Sequence, residues 1–373
     1  MNYYIIPKNK FNIEIDLQFN NEIIKPYISY SLIFYLNDIY KQILKIDNKE
    51  DNIIQNINEI VNPYEFINTN VPGTQISVSK VKPDSNIFFE LMEIFNLFSI
   101  NEIIGIKYKM NIAHFTRNNN STVYLLNMLR EENDDNIFCE DFDYDLLVDK
   151  LILNKVDCKF DLFIFELNSN DYIDIKKYIK NMVLIFSIII KYHANLGTSI
   201  IKIESIFYKP ITDILFIFSA LFEKVFIVKP TISNITRGER YIICKSFNSN
   251  YLEETNILNQ IEERLIKILL EKDNVNINSI INNDIPYLFL NKLEESNAVI
   301  GQQQLEAYDQ IINIYKNKNR EDKLELLKRN HIQKCILWCE KNQLPHNKFI
   351  EQINIFLTTK KKESEDEIKI DSS

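Results

Sequence analysis

The sequence predicts an α/β fold, a mainly parallel sheet covered by helices, and three observations carry that expectation. Between residues 84 and 250, short runs dense in β-branched and aromatic residues alternate with longer stretches of helical apolar spacing. Each intervening stretch has the length of a crossover helix, which parallel neighbours require. The last two runs, 225–228 and 241–247, are joined by a segment with proline and glycine, so they read as a hairpin that adds an antiparallel edge.

Taken in order, residues 1–83 read as an N-terminal extension and arm. Strands are expected at 3–6 and 11–17, then helical periodicity from about 24 to 60. The stretch 62–83 holds three prolines and one of the rare glycines, so it reads as a loop or extended arm with Lys80 and Lys82 exposed. Asp84 is placed to cap a helix over 86–98, whose Phe88, Leu91, Met92 and Phe95 share a face. A strand over 110–115, a turn over 116–121, a helix over 122–132 and a strand over 136–139 follow. Helices over 144–153, 172–195 and 211–223 lead into strands over 161–165, 198–203 and 225–228. From 251 to 357 helical periodicity takes over, and the charged tail 358–373 is expected to be disordered.

An apolar fraction of 46% with 25% charged residues is ordinary for a globular protein, and 373 residues suffice for one large domain with appended segments or for two. Only 5 glycines occur, so glycine-built sites are scarce. The net charge of −9 argues against non-specific coating of nucleic acid, whose affinity comes from Lys and Arg neutralising phosphates. Two local basic stretches remain, 224–245 and 316–334, and a solvated helix face explains the second. The five cysteines are odd in number and scattered, which fits a reducing compartment and implies no disulfide framework. His331, Cys335 and Cys339 fall on one helix face. Three ligands on one helix rarely close a tetrahedron, so core packing is expected there rather than zinc. The start of the chain lacks the pattern of a secretory signal, and the longest apolar run, 182–190, is too short to span a bilayer. The expectation is a soluble cytoplasmic protein with no membrane partner.

In open parallel sheets, ligands sit beyond the carboxyl ends of the strands. The residues there are the turn 116–121, Asp141, Glu166, Lys202 and Glu239. Lys202 lies between Glu166 and Glu239, nearly equally far from each along the chain, and each of the three ends its own strand. That spacing suits a proton-transfer site, and it suits a structural ion pair at a sheet edge as well.

The closing segment KPTISNITRGERYIICKSF, 229–247, resembles the "KP-x-x-SR-x-x-x-x-E-x-Y-x-V-x-K" segment of the FtsJ family of RNA ribose 2′-O-methyltransferases, which includes mRNA cap enzymes. TSIIKIE, 198–204, resembles that family's "G-x-F-x-x-K" strand; CEDFDYDLL, 139–147, its "GDF" segment; FELNSN, 165–170, its "SDMAPN"; and SNIFFELMEI, 85–94, its "SRAxFKLxEI". The resemblance covers about 84–247. It implies a Rossmann-like methyltransferase sheet domain, S-adenosylmethionine as cofactor, and RNA, an mRNA cap or ribosomal RNA, as substrate. On it Glu239 takes the place of the catalytic glutamate, Lys202 of the central lysine, Glu166 of the catalytic aspartate and Asp141 of the carboxylate that contacts the adenine. The Asn and Ile bias and the stretch 285–323 resemble versions of the family from large DNA viruses.

Two departures bear on activity. Glu90 stands where the family has its first lysine, so Glu90, Glu166, Lys202 and Glu239 together carry two excess negative charges when all are ionised. A lysine accepts a ribose proton only when its pKa is drawn down, and excess negative charge does the opposite. Lys80 or Lys82 could restore a positive charge. The turn after the first strand reads AHFTRNNNSTVYLL, with Asn118, Asn119 and Asn120 where a glycine-rich approach to the cofactor is expected. Two functions are therefore open. One is a methyltransferase with Lys202 as base. The other is a catalytically degenerate relative acting as an RNA-binding, partner or scaffold subunit.

Overall fold

The structure, a computed structural model, describes residues 2–10, 13–20, 22–47, 53–100, 109–116, 120–131, 133–142, 147, 158–167, 174–251, 276–317 and 321–349. In chain order the elements are β1 (Asn2–Ile5), β2 (Ile15–Asn20), α1 (Tyr30–Asp47), α2 (Ile53–Val61), α3 (Ile87–Leu97), β3 (Asn111–Thr116), α4 (Ser121–Arg130), β4 (Asn136–Asp141) and β5 (Phe160–Glu166). They continue with α5 (Ile175–Tyr192), β6 (His193–Ile203), α6 (Lys209–Leu221), β7 (Phe222–Lys229), β8 (Arg240–Phe247), β9 (Asn276–Ile281), α7 (Tyr287–Lys316) and α8 (Glu321–Lys341).

Seven strands form one sheet in the order β1-β7-β8-β6-β5-β3-β4. β3 pairs in parallel with β4 and β5, and β5 with β6. β8 runs antiparallel to both β6 and β7, and β1 is antiparallel to β7. The class is the Rossmann-like α/β arrangement that the alternation predicts. One detail differs: β8 lies inside the sheet rather than at its edge. Tyr241, Ile242, Ile243 and Cys244 are all buried, as a strand covered on both faces must be, whereas β1 exposes Tyr3 and Ile5 as an edge strand can.

Strand alternation splits the core. Phe163 and Phe165 face the α5 and α6 side, while Leu162 and Ile164 face the α3 side together with Ile200, Tyr241 and Ile243. α5 and α6 are apolar almost all round and correspondingly buried, which is what sheet-covering helices require. Asp174 caps α5 by accepting from the Lys176 and Lys177 amides. The residue before α3 is Asn86, which makes no side-chain cap bond, rather than the expected Asp84.

β9 breaks the expectation of a wholly helical region beyond 251. It pairs antiparallel with β2 in a two-stranded sheet, and Ile277 and Ile281 are buried. His331, Cys335 and Cys339 are all buried, and Cys335 and Cys339 belong to the apolar core on the α3 side of the sheet. Nearly all of the helix expected over 144–153, the first part of the region beyond 251 and the tail 358–373 lie outside the described residues. No described helix is long and apolar enough to cross a membrane.

Candidate functional site

The α3-facing side of β6 and β8 carries a buried ionic cluster. Lys202 and Tyr241 are register partners across β6 and β8, so their side chains leave the sheet on one face. α3 lies over that face and is buried on most of its positions, which brings Glu90 into the interior along with Phe88, Phe89 and Leu91. The Lys202 Nζ donates to Glu90 Oε2 at 3.1 Å and lies 3.1 Å from Glu239 Oε2. The Tyr241 hydroxyl donates to the same Glu90 oxygen. Arg237 holds the other Glu239 oxygen, Nη1 to Oε1 at 3.2 Å.

Burial alone lowers the Lys202 ammonium, but the charges of Glu90 and Glu239 and their hydrogen bonds outweigh it and hold the pKa well above the ordinary lysine range. Burial also raises Glu239, and here Lys202 and Arg237 win and draw the carboxyl below its usual range. Tyr241 is pushed up by burial and by the neighbouring Glu90. The cluster is a lysine ammonium held between two carboxylates.

The loop that delivers Glu239 is tied down from below. The Lys229 Nζ donates to three of its carbonyls, Asn234 at 3.2 Å, Arg237 at 2.7 Å and Glu239 at 3.1 Å. Burial and the charge of Arg240 lower the Lys229 pKa to about 8. From α3, one turn beyond Glu90, Glu93 accepts from the Thr231 amide at 2.9 Å and hydroxyl at 2.6 Å, and from the Trp338 indole at 3.3 Å. Lys229 and Arg240 are therefore interior groups, and of the basic side chains in the stretch 224–245 Lys224 and Arg237 are exposed.

Glu166 pairs in register with Lys202, but its carboxylate is engaged by a second cluster. His114 Nε2 donates to Oε1 at 2.8 Å, Thr116 Oγ1 to Oε2 at 2.8 Å, and the Thr122 hydroxyl to Oε1. Burial raises the carboxyl, and His114 with the two hydroxyls reverses this and lowers it. Burial likewise opposes charge on His114, yet the bonds to Cys139 and Glu166 push it up to about 9. At neutral pH this is a buried imidazolium–carboxylate pair.

The remaining candidates are placed as follows. Asp141 ends β4, opposite Thr116 in register, and is exposed. Asn120 is exposed and right-handed at φ −92°, just before α4, without a side-chain bond to the helix. Asn118 and Asn119 lie outside the described residues. Lys80 and Lys82 are exposed, and Lys82 donates to Ser77, so the positive charges on the site's carboxylates come from Arg237 and His114 instead. Sequence reasoning passed over Arg237, Tyr241, His114, Thr122 and Glu93, and it included Thr116 only as the start of the turn 116–121. Strand alternation placed Tyr241 in a buried run beside Glu239, which was a usable signal. Nothing local marked His114, whose partners come from strands far apart in the sequence.

The Lys202 strand end adjoins a cavity of about 360 Å³ whose lining includes Glu204, Tyr208, Arg240, Gln304 and Tyr308. Burial and the Glu239 charge raise the Glu204 carboxyl above its usual range.

No family model matches this chain. No curated protein matches it either. Among solved structures, the chain is similar to one from Plasmodium falciparum described as a ribosomal RNA methyltransferase, at 18% identity and a TM-score of 0.32, over 44% of this chain and 97% of that one. It is also similar to one from Corynebacterium glutamicum described as a spermidine synthase, at 12% identity and a TM-score of 0.28, over 57% of this chain and 89% of the other. Its own sheet order, with β8 inserted antiparallel between β6 and β7, places the fold in the Rossmann-like methyltransferase class.

Proposed function

We propose that this chain is a catalytically silent relative of the FtsJ-like RNA ribose 2′-O-methyltransferases, keeping the methyltransferase fold as a partner or scaffold subunit. The observation that carries this reading is the Lys202 clamp. A base for a ribose hydroxyl must be neutral near the working pH. Here Glu90 and Glu239 each sit 3.1 Å from the ammonium and hold it charged. Glu90 occupies the place where a second lysine would lower that pKa by repulsion.

S-adenosylmethionine is the cofactor such a fold implies, and the described residues fit it poorly on its methionine side. Thr116 and Thr122 both donate to Glu166, and the turn between the two threonines has no glycine to admit a close ligand. Asp141 at the end of β4 suits the adenine side. The enzyme reading keeps one favourable observation, the contact between Lys202 and Glu239.

The test is a calorimetric titration with S-adenosylmethionine alongside transfer of a labelled methyl group to capped and ribosomal RNA. The expected outcome is no binding at millimolar cofactor and no incorporation. Micromolar binding abolished by Asp141→Ala, with incorporation abolished by Lys202→Ala, would establish the enzyme instead.

A further inference from the structure

We propose that Cys139 is a reactive thiol activated by His114 and Glu166, and that it is a site of covalent modification by small oxidants of the peroxide class. The inference does not depend on the methyl-transfer reading. It rests on three side chains that the sheet sets in line. Cys139 lies on the edge strand β4, directly opposite His114 in the β3–β4 register. Its Sγ is 3.8 Å from His114 Nδ1, and the other ring nitrogen, Nε2, is 2.8 Å from Glu166 Oε1.

Burial differs sharply along the line. His114 and Glu166 are fully interior, while Cys139 is exposed. The carboxylate fixes the ring and stabilises its positive form, and the ring then presents its second N–H to the sulfur. A cation beside a partly exposed sulfur is the setting in which thiolates form and react. Thr116 holds the other Glu166 oxygen and Thr122 the same oxygen as His114, so the carboxylate is fixed against the ring.

In the step itself the Cys139 thiolate attacks one peroxide oxygen, the S–O bond forms and the O–O bond breaks. The departing oxygen takes a proton from the His114 imidazolium and leaves as water, or as an alcohol from an alkyl peroxide. The sulfur is oxidised by two electrons to a sulfenic acid, the peroxide is reduced by two, and His114 regains its proton from solvent.

The chain contains its own control. Cys158 is also exposed but makes no hydrogen bond or ion pair among the described residues, and Cys244, Cys335 and Cys339 are buried. The experiment treats the full-length protein at neutral pH with hydrogen peroxide plus a sulfenic-acid trap, and in parallel with iodoacetamide, and follows each cysteine by peptide mass spectrometry. Cys139 is expected to react about tenfold faster than Cys158 with both reagents, and His114→Gln is expected to bring the two within about twofold. Should His114→Gln unfold, as judged by circular dichroism, Glu166→Gln is used in its place with the same expectation. Equal rates at Cys139 and Cys158 in the unaltered protein overturn the proposal. So does a Cys139 advantage that persists in the folded variant.

Discussion

At Lys202 the molecule resolves a charge problem that the sequence poses. Glu90, Glu166, Lys202 and Glu239 are two negative charges in excess, and the structure balances them with Arg237 on Glu239 and His114 on Glu166. The excess was legible from the residue types. Its cure was not, because His114 reaches Glu166 only through the pairing of β3 with β5. Removing the central cation leaves Glu90 and Glu239 facing each other in the interior. Lys202→Met should therefore cost about 3–5 kcal/mol, the usual penalty for breaking a buried pair, and urea denaturation of the variant measures it. A loss below about 1 kcal/mol would mean that the two carboxylates are already satisfied without it.

Among the elements, the strands from β3 to β7 were readable because their apolar runs are dense and bounded by helices. β9 was not, since NINSII is short and lies among asparagines, and it pairs with β2, which is far away in the sequence. The placement of β8 inside the sheet could have been read from its unbroken apolar run, which an edge strand would not need. The loop between β7 and β8 is held by Lys229 from within and by Glu93 from α3, and no local pattern announces either anchor. Lys229→Met leaves three carbonyls without their donor. Hydrogen exchange followed by mass spectrometry should then show lost protection across 231–239 with β5 unchanged. Retained protection across that loop would show that the lysine does not hold it.

For the whole molecule, three buried histidines, His114 raised and His193 and His331 lowered, should set the pH of greatest stability. Burial lowers His193 to about 3, opposed only weakly by the Ala194 carbonyl. The unfolded imidazole takes a proton near pH ~6.5, so His193 removes stability as pH falls below that value and down to about 3. His114 is raised to about 9, so its stabilisation is complete below pH ~6.5 and is lost as pH climbs through 9. Denaturation curves across this range should peak near pH ~6.5, with His114→Gln flattening the alkaline limb and His193→Gln flattening part of the acid limb, the rest coming from His331, which burial lowers to about 4. A peak unmoved by either variant would contradict both assignments. The same scale carries the central claim, a methyltransferase fold whose central lysine is held as a permanent cation. Its most direct measurement is the titration of Lys202 by carbon NMR of labelled lysine side chains, assigned with Lys202→Arg. The Lys202 signal should stay in its charged position through about pH 10, where exposed lysines are already deprotonating. A Lys202 signal that titrates between about pH 7 and 8 would mean a lysine poised to accept a proton, and would contradict the claim.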